Sequence, residues 1–192
     1  MLEQNRIEYE CGGTLISKSF VLTAAHCVTN LPPKVEVKSI VLGENNANTK
    51  IDCDNFHICA DPVQEFGPAK IIFPSNYNHP PFRHDIALIK LNNEVKLSEW
   101  VTPICLPFGE SLSLNLTNHT GEVAGWGLTN SDNEAGTPFL QTVKMPIHSH
   151  ERCQQLIRTL SLGNEQLCVG GVIGKDSCGG DSGGPLMMVM LF

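Results

Sequence analysis

Short apolar runs separated by turn residues recur along the chain. Segments of strand length lie at Lys70–Phe73, Asp85–Leu91, Gly121–Gly127, Leu140–Ile147, Gln166–Gly170 and Pro185–Phe192, each rich in β-branched or apolar positions and bounded by turn formers. Helical periodicity is confined to about Ser149–Leu160, where Leu156 and Ile157 accompany an Arg- and Gln-bearing polar face. Pro- and Gly-rich stretches at Leu31–Lys34, Asn76–Phe82 and Leu128–Pro138 read as loops, and no internal repeat or low-complexity linker interrupts them. The pattern predicts an all-β chain with one or two minor helices, its strands joined as Greek keys in a barrel or sandwich.

Composition narrows this picture. The chain has 192 residues and a hydrophobic share of 41%, enough for one large domain or two small ones. Its net charge is −7 with Lys and Arg scattered, so nucleic acid and an anionic membrane are excluded as partners. Eight cysteines without a C-x-x-C pair point to disulfides and an oxidising compartment rather than a zinc ribbon. The N-terminus, MLEQNRIEYE, is polar and acidic where an export signal would be basic and then apolar. Both observations hold for a fragment of a longer secreted protein. The apolar tail from Leu186 to Phe192 is too short to span a bilayer and is expected to form a buried strand.

The chemistry concentrates near that tail. Gly180-Asp181-Ser182-Gly183-Gly184 satisfies G-x-S-x-G, the nucleophile elbow of α/β-hydrolases, but that fold places its acid and histidine after the serine. No Asp, Glu or His follows Ser182. The subtilisin order needs an aspartate ahead of the histidine, and no Asp precedes Asp52. The order that remains is His, Asp, Ser. His26 sits among small residues in Thr23-Ala24-Ala25-His26-Cys27. Asp85 opens the apolar run to Leu91, where a carboxylate is costly unless paired and an imidazole N–H is a natural partner. The glycines around Ser182 let the N–H groups of Gly180 and Ser182 converge on one developing oxyanion.

These motifs together resemble the chymotrypsin/trypsin family of serine endopeptidases. Cys11-Gly12-Gly13-Thr14-Leu15-Ile16, Leu22 to Cys27, Asp85 to Leu91, Gly125-Trp126-Gly127, Cys168-Val169-Gly170 and Asp176 to Leu186 follow the family's order over nearly the whole chain. The resemblance implies two six-stranded Greek-key barrels, at about 1–95 and 96–192, the second incomplete here. It makes His26 the general base, Asp85 the group that orients the imidazole, and Ser182 the nucleophile that forms an acyl-enzyme. Asp176 matches the carboxylate that pairs with Arg or Lys of the substrate. A catalytically silent homologue that binds proteases or substrates is the alternative, although such proteins usually lose a member of the triad.

The cysteines resemble those of arthropod clip-domain proteases, which act in extracellular cascades of immunity and development. That likeness implies disulfides Cys11–Cys27, Cys53–Cys59 and Cys153–Cys168, with Cys105 and Cys178 unpaired in this chain. It implies as partners protein substrates cut after Arg or Lys, an upstream activating protease and serpin-type inhibitors. No cofactor is required by the chemistry. Glu44 and Asn46 in Leu42-Gly43-Glu44-Asn45-Asn46 resemble the start of the family's calcium loop, or else form a solvated loop. Asn115-Leu116-Thr117 and Asn118-His119-Thr120 are glycosylation sequons, or chance matches in an Asn- and Thr-rich stretch. His57 between two cysteines is explained by disulfide spacing rather than zinc. Gly174-Lys175 is no phosphate loop, because Val169 stands where its first glycine belongs and Asp176 follows the Lys.

The resemblance also carries expectations about the ends. In the family an N-terminal ammonium released by cleavage pairs with the aspartate before the nucleophile, here Asp181. The chain opens at Met1-Leu2-Glu3, near the family's second strand, so Asp181 is expected to lack a partner, at a cost of roughly 3–5 kcal/mol. Only ten residues follow Ser182, fewer than the family's pocket wall, final helix and partner for Cys178 require. The expectation is no turnover by this length of chain above a Ser182→Ala control, and turnover once flanking segments are restored.

Overall fold

The computed structural model describes residues 10–54, 56–129, 136–157 and 162–189. Within them the chain is mostly β. Ten strands run β1 Thr14–Ser17, β2 Phe20–Thr23, β3 Ile40–Leu42, β4 Gln64–Phe66, β5 Pro68–Ile72, β6 Ala87–Leu91, β7 Thr120–Gly125, β8 Gln141–His148, β9 Cys168–Val169 and β10 Leu186–Met187. One α-helix, α1 His150–Leu156, and 3-10 turns at Ala25–Cys27 and Gly109–Ser113 complete the set.

The strands fall into two groups along the chain. In the first half a four-stranded sheet has the order β1-β2-β6-β5 and a two-stranded one pairs β3 with β4; in the second half the order is β10-β7-β8-β9. All these ladders are antiparallel. Alternation makes the first core. In β6, Ala87, Ile89 and Leu91 are buried while Lys90 between them is exposed, so one face of the strand meets Leu15, Val21, Phe66, Val95 and Val101. Each of these larger side chains contributes roughly 1.5–3 kcal/mol when taken out of water. In β8 the same period-2 rule buries Met145 and Ile147.

Several sequence-predicted elements differ in extent. The run beginning at Asp85 becomes a strand only at Ala87, since Ile86 N–H turns back to the His84 carbonyl at 2.9 Å. Asp85 is therefore exposed at the strand's approach rather than buried at its edge. The predicted helix is capped by Ser149, whose Oγ accepts from Arg152 N–H at 3.3 Å. It ends at Leu156, and residues 158–160 of the prediction lie outside the described residues, as do 130–135 of the third loop and 190–192 of the last strand. β1 to β4 carry no strand prediction at all, being only three or four residues long.

Candidate active site

Two of the three predicted triad members meet directly. His26 lies in the 3-10 turn after β2, and Asp85 lies just ahead of β6, which pairs with β2 in register Thr23↔Ala87. Adjacent strands thus deliver both residues to one end of the sheet. Asp85 Oδ1 accepts from the His26 backbone N–H at 2.8 Å, and Oδ2 accepts from Nδ1–H at 2.6 Å. A carboxylate can only accept, so Nδ1 carries the proton and neutral His26 keeps a basic lone pair on Nε2. The side chains are 44% and 35% exposed, open to a reacting molecule.

Ser182 arrives from the other half of the chain. Its carbonyl accepts from Gly12 N–H at 2.7 Å, and Thr23 Oγ1 donates to Gly12 O at 2.9 Å. Gly183 has φ +79, and a Cβ there would lie 2.7 Å from Gly12 O and 3.1 Å from Ala24 N, so the turn after the serine is pressed against the strand ends that hold His26. The Cys11–Cys27 disulfide fixes the same seam. Cys27 Sγ lies 3.6 Å from both His26 Nε2 and Ser182 O; being oxidised it has no hydrogen to donate. Among the described residues Ser182 Oγ makes no hydrogen bond to His26, and the N–H groups of Gly180 and Ser182 have no protein acceptor.

A family profile described as Trypsin matches residues 2–189. The chain belongs to the trypsin family. It is 40% identical over 190 residues to CLIP domain-containing serine protease B10 of Anopheles gambiae, covering 94% of this chain and 51% of that protein. It is 39% identical over 186 residues to CLIP domain-containing serine protease HP8 of Bombyx mori, covering 93% and 50%. The crystal structure of Drosophila Grass, a clip serine protease of the Toll pathway, superimposes with a TM-score of 0.77 at 37% identity, over 92% of this chain and 49% of that one. The chain thus spans about half the length of the relatives it matches.

In this trypsin-family chain the expectation for Asp181 needs correction. The carboxylate is half-buried but not without partners: Oδ1 accepts from Gly127 N–H at 2.8 Å and Oδ2 from Cys178 N–H at 2.9 Å. The Gly125-Trp126-Gly127 motif makes room for it. A Cβ on Gly127 would lie 2.5 Å from the carboxylate carbon, and one on Gly125 would overlap Oδ1. Sequence reasoning recognised this motif without finding its purpose, because Asp181 lies 54 residues from Gly127.

Asp176 is exposed, with Oδ1 accepting from Ser177 N–H at 2.9 Å. It lines a cavity of about 730 Å³ with Gly125, Thr142 and Val172. Ser182 lines another, of about 580 Å³, with Gly184 and Leu186. The two cavities adjoin, with Val123, Cys178 and Asp181 lining both.

The remaining cysteines pair as Cys53–Cys59 and Cys153–Cys168, while Cys105 and Cys178 are free and exposed. Asn115 and Asn118 are both exposed. Among the described residues no helix is long and apolar enough to cross a membrane.

Glu44 meets a residue that the sequence did not suggest. Among the described residues its Oε1 is buried without a hydrogen-bond partner, and burial, aided by the nearby Asp52 charge, pushes the carboxyl above its ordinary value. Asp52 moves the opposite way, held down first by the Thr49 hydroxyl and then by the amides of Asn46 and Asn45. Both oxygens of Asn46 are engaged within the loop: Oδ1 accepts from Asn48 N–H and the carbonyl from Thr49. Glu44, raised in the folded state, stabilises the fold when protonated and loses that contribution as pH rises through its folded value. Asp52, lowered, contributes above its ordinary value and loses it as pH falls through the folded one. In chelator-containing buffer Glu44→Gln is therefore expected to raise the Tm at pH 7 and leave it unchanged near pH 4; a lower Tm at pH 7 would contradict carboxylate repulsion.

Proposed function

We propose that this chain forms the catalytic region of a serine endopeptidase that cleaves after Arg or Lys through an acyl-enzyme and acts in an extracellular proteolytic cascade. The reading rests above all on the two-point clamp of Asp85 on His26, which leaves Nε2 as a base beside the turn that carries Ser182. Ser182 Oγ loses its proton to Nε2 as it attacks the peptide carbonyl, and His26 returns that proton to the leaving amine. The N–H groups of Gly180 and Ser182, without an acceptor among the described residues, suit the developing oxyanion. Asp176 supplies the charge for a basic substrate side chain. In this reading residues of about 1–95 and 96–192 form the two lobes. The partners are protein substrates, an upstream activating protease and serpin-type inhibitors, and Asn115 and Asn118 are glycan acceptors.

Calcium fits as a structural ion. The orphaned Glu44 oxygen and the Asp52 carboxylate would hold it, while both Asn46 oxygens already accept hydrogen bonds within the loop. The ion would neutralise the repulsion between the two carboxylates.

A silent homologue is the second reading, favoured by the absence, among the described residues, of a Ser182–His26 hydrogen bond. Hydroxyl–imidazole contacts in unliganded proteases are often long, so turnover decides. Expressed with any adjoining coding sequence, the protein should hydrolyse Arg- and Lys-ended chromogenic peptides over Leu-ended ones, and Asp176→Ser should erase that preference, on the order of 10²-fold. Equal rates on all three peptides would refute the assignment of Asp176, and a lack of turnover would favour the silent homologue.

A further inference from the structure

Asp85 can hold both His26 nitrogens only if its backbone is placed within a fraction of an ångström, yet the segment leading to it is irregular. Asn78, Phe82 and His84 have φ of 59, 64 and 58°. Such left-handed backbone at side-chain-bearing residues is strained and persists only where the surroundings impose it. Part of the constraint is local: Phe82 N–H donates to Asn78 Oδ1 at 2.8 Å, and Asn78 N–H to Arg83 O at 2.9 Å.

The rest comes from the second half of the chain. Gln166 Nε2 donates to Phe82 O at 2.9 Å, and Glu165 Oε1 accepts from Arg83 Nη1 at 3.1 Å, with only 18% of the Arg83 side chain exposed. Gln166 is itself tied down. Its Oε1 accepts from Gly163 N–H at 2.9 Å, its N–H donates to Gly163 O at 3.0 Å, and its carbonyl contacts His150 Nε2 of α1 at 2.6 Å. The Cys153–Cys168 disulfide anchors the helix beside the same turn. A continuous set of contacts therefore runs from α1 through Gln166 to Phe82, three residues before Asp85.

We propose that Glu165 and Gln166 are positioning residues: a clasp by which the second half of the chain sets the placement of Asp85 and so the His26–Asp85 pair. The proposal rests on the catalytic reading of that pair. Arg83 has further interactions, so the test acts on its partners. Gln166→Met keeps length and removes both amide contacts; Glu165→Gln, at a side chain 47% exposed, removes only the charge and serves if the first variant does not fold.

The first readout is the downfield proton resonance of His26 Nδ1–H, which reports its bond to Asp85 without turnover. The second is kcat and KM on an Arg-ended peptide, with the rate of Ser182 labelling by a small fluorophosphonate. Gln166→Met should broaden or shift the Nδ1 resonance and lower kcat and labelling about tenfold, since an ångström of misplacement can cost up to about a hundredfold, with KM within about twofold. Glu165→Gln should act in the same direction and less. An unchanged Nδ1 resonance with unchanged kcat, or a loss of rate matching the unfolded fraction, would overturn the clasp. If the unsubstituted protein shows neither labelling nor turnover, the catalytic reading fails, and the Nδ1 resonance alone still decides the positioning role.

Discussion

On the proposed catalytic reading, His26→Ala and Ser182→Ala are each expected to lower kcat on an Arg-ended peptide by about 10⁶-fold, and the double variant by no more than either alone, because in that reading the two residues act as one unit. Asp85→Asn should cost less, about 10⁴-fold, for a reason visible in the hydrogen bonds. Asp85 accepts twice from His26. In the Asn variant one of those oxygens becomes an NH₂ donor. If it faces the ring, it forces the proton from Nδ1 to Nε2 and leaves the base on the wrong nitrogen. If the amide turns its oxygen to the ring, the His26 backbone N–H loses its acceptor. The check is steady-state kinetics on matched preparations. Retention of more than about 1% of activity by either alanine variant would show that His26 and Ser182 do not carry the reaction.

The second large effect concerns packing beneath Ser182. Gly127→Ala places a methyl group 2.5 Å from Asp181 Cγ and 2.7 Å from Oδ2, separations that real contacts do not reach. The carboxylate must move, weakening its hydrogen bonds from the Gly127 and Cys178 N–H groups. Overpacking costs typically 1–3 kcal/mol, and each hydrogen bond to a charged group about 1.5–3 kcal/mol. Partial retention of these bonds leads to an expected Tm loss of roughly 5–10 °C. Activity should fall with it, because Asp181 adjoins both Gly180 and Ser182. A double-mutant cycle separates the causes: in an Asp181→Ala background the same Gly127→Ala change should cost little, since the clashing atoms are gone. Equal Tm losses in the two backgrounds would mean that Asp181 does not explain the glycine.

The strands most legible in the sequence were those whose alternation is strong enough to read locally. β6 and β8 carry apolar residues on every second position, and both were predicted within two residues of their observed ends. β3 and β4 were not, because three residues contain too little pattern to distinguish a strand from an extended loop. The predicted strand over Pro185–Phe192 shrinks to Leu186–Met187 among the described residues. A run of apolar residues sets a preference for burial, whereas a ladder needs a partner, and β7 pairs with only two of them.

Sequence by itself determined the family, the order His26, Asp85, Ser182 and the cysteine pattern, since these are written in short motifs whose residue types are dictated by local chemistry. Tertiary structure alone decided what surrounds those residues. It set the amide donors and glycine space around Asp181, the carboxylate of Asp52 beside Glu44, and the contacts of Glu165 and Gln166 with the approach to Asp85. The longest of these contacts join residues more than fifty positions apart, each made by a side chain that is ordinary in its own neighbourhood. No local pattern marks such a pair, because its partner is chosen by the packing of two halves of the chain.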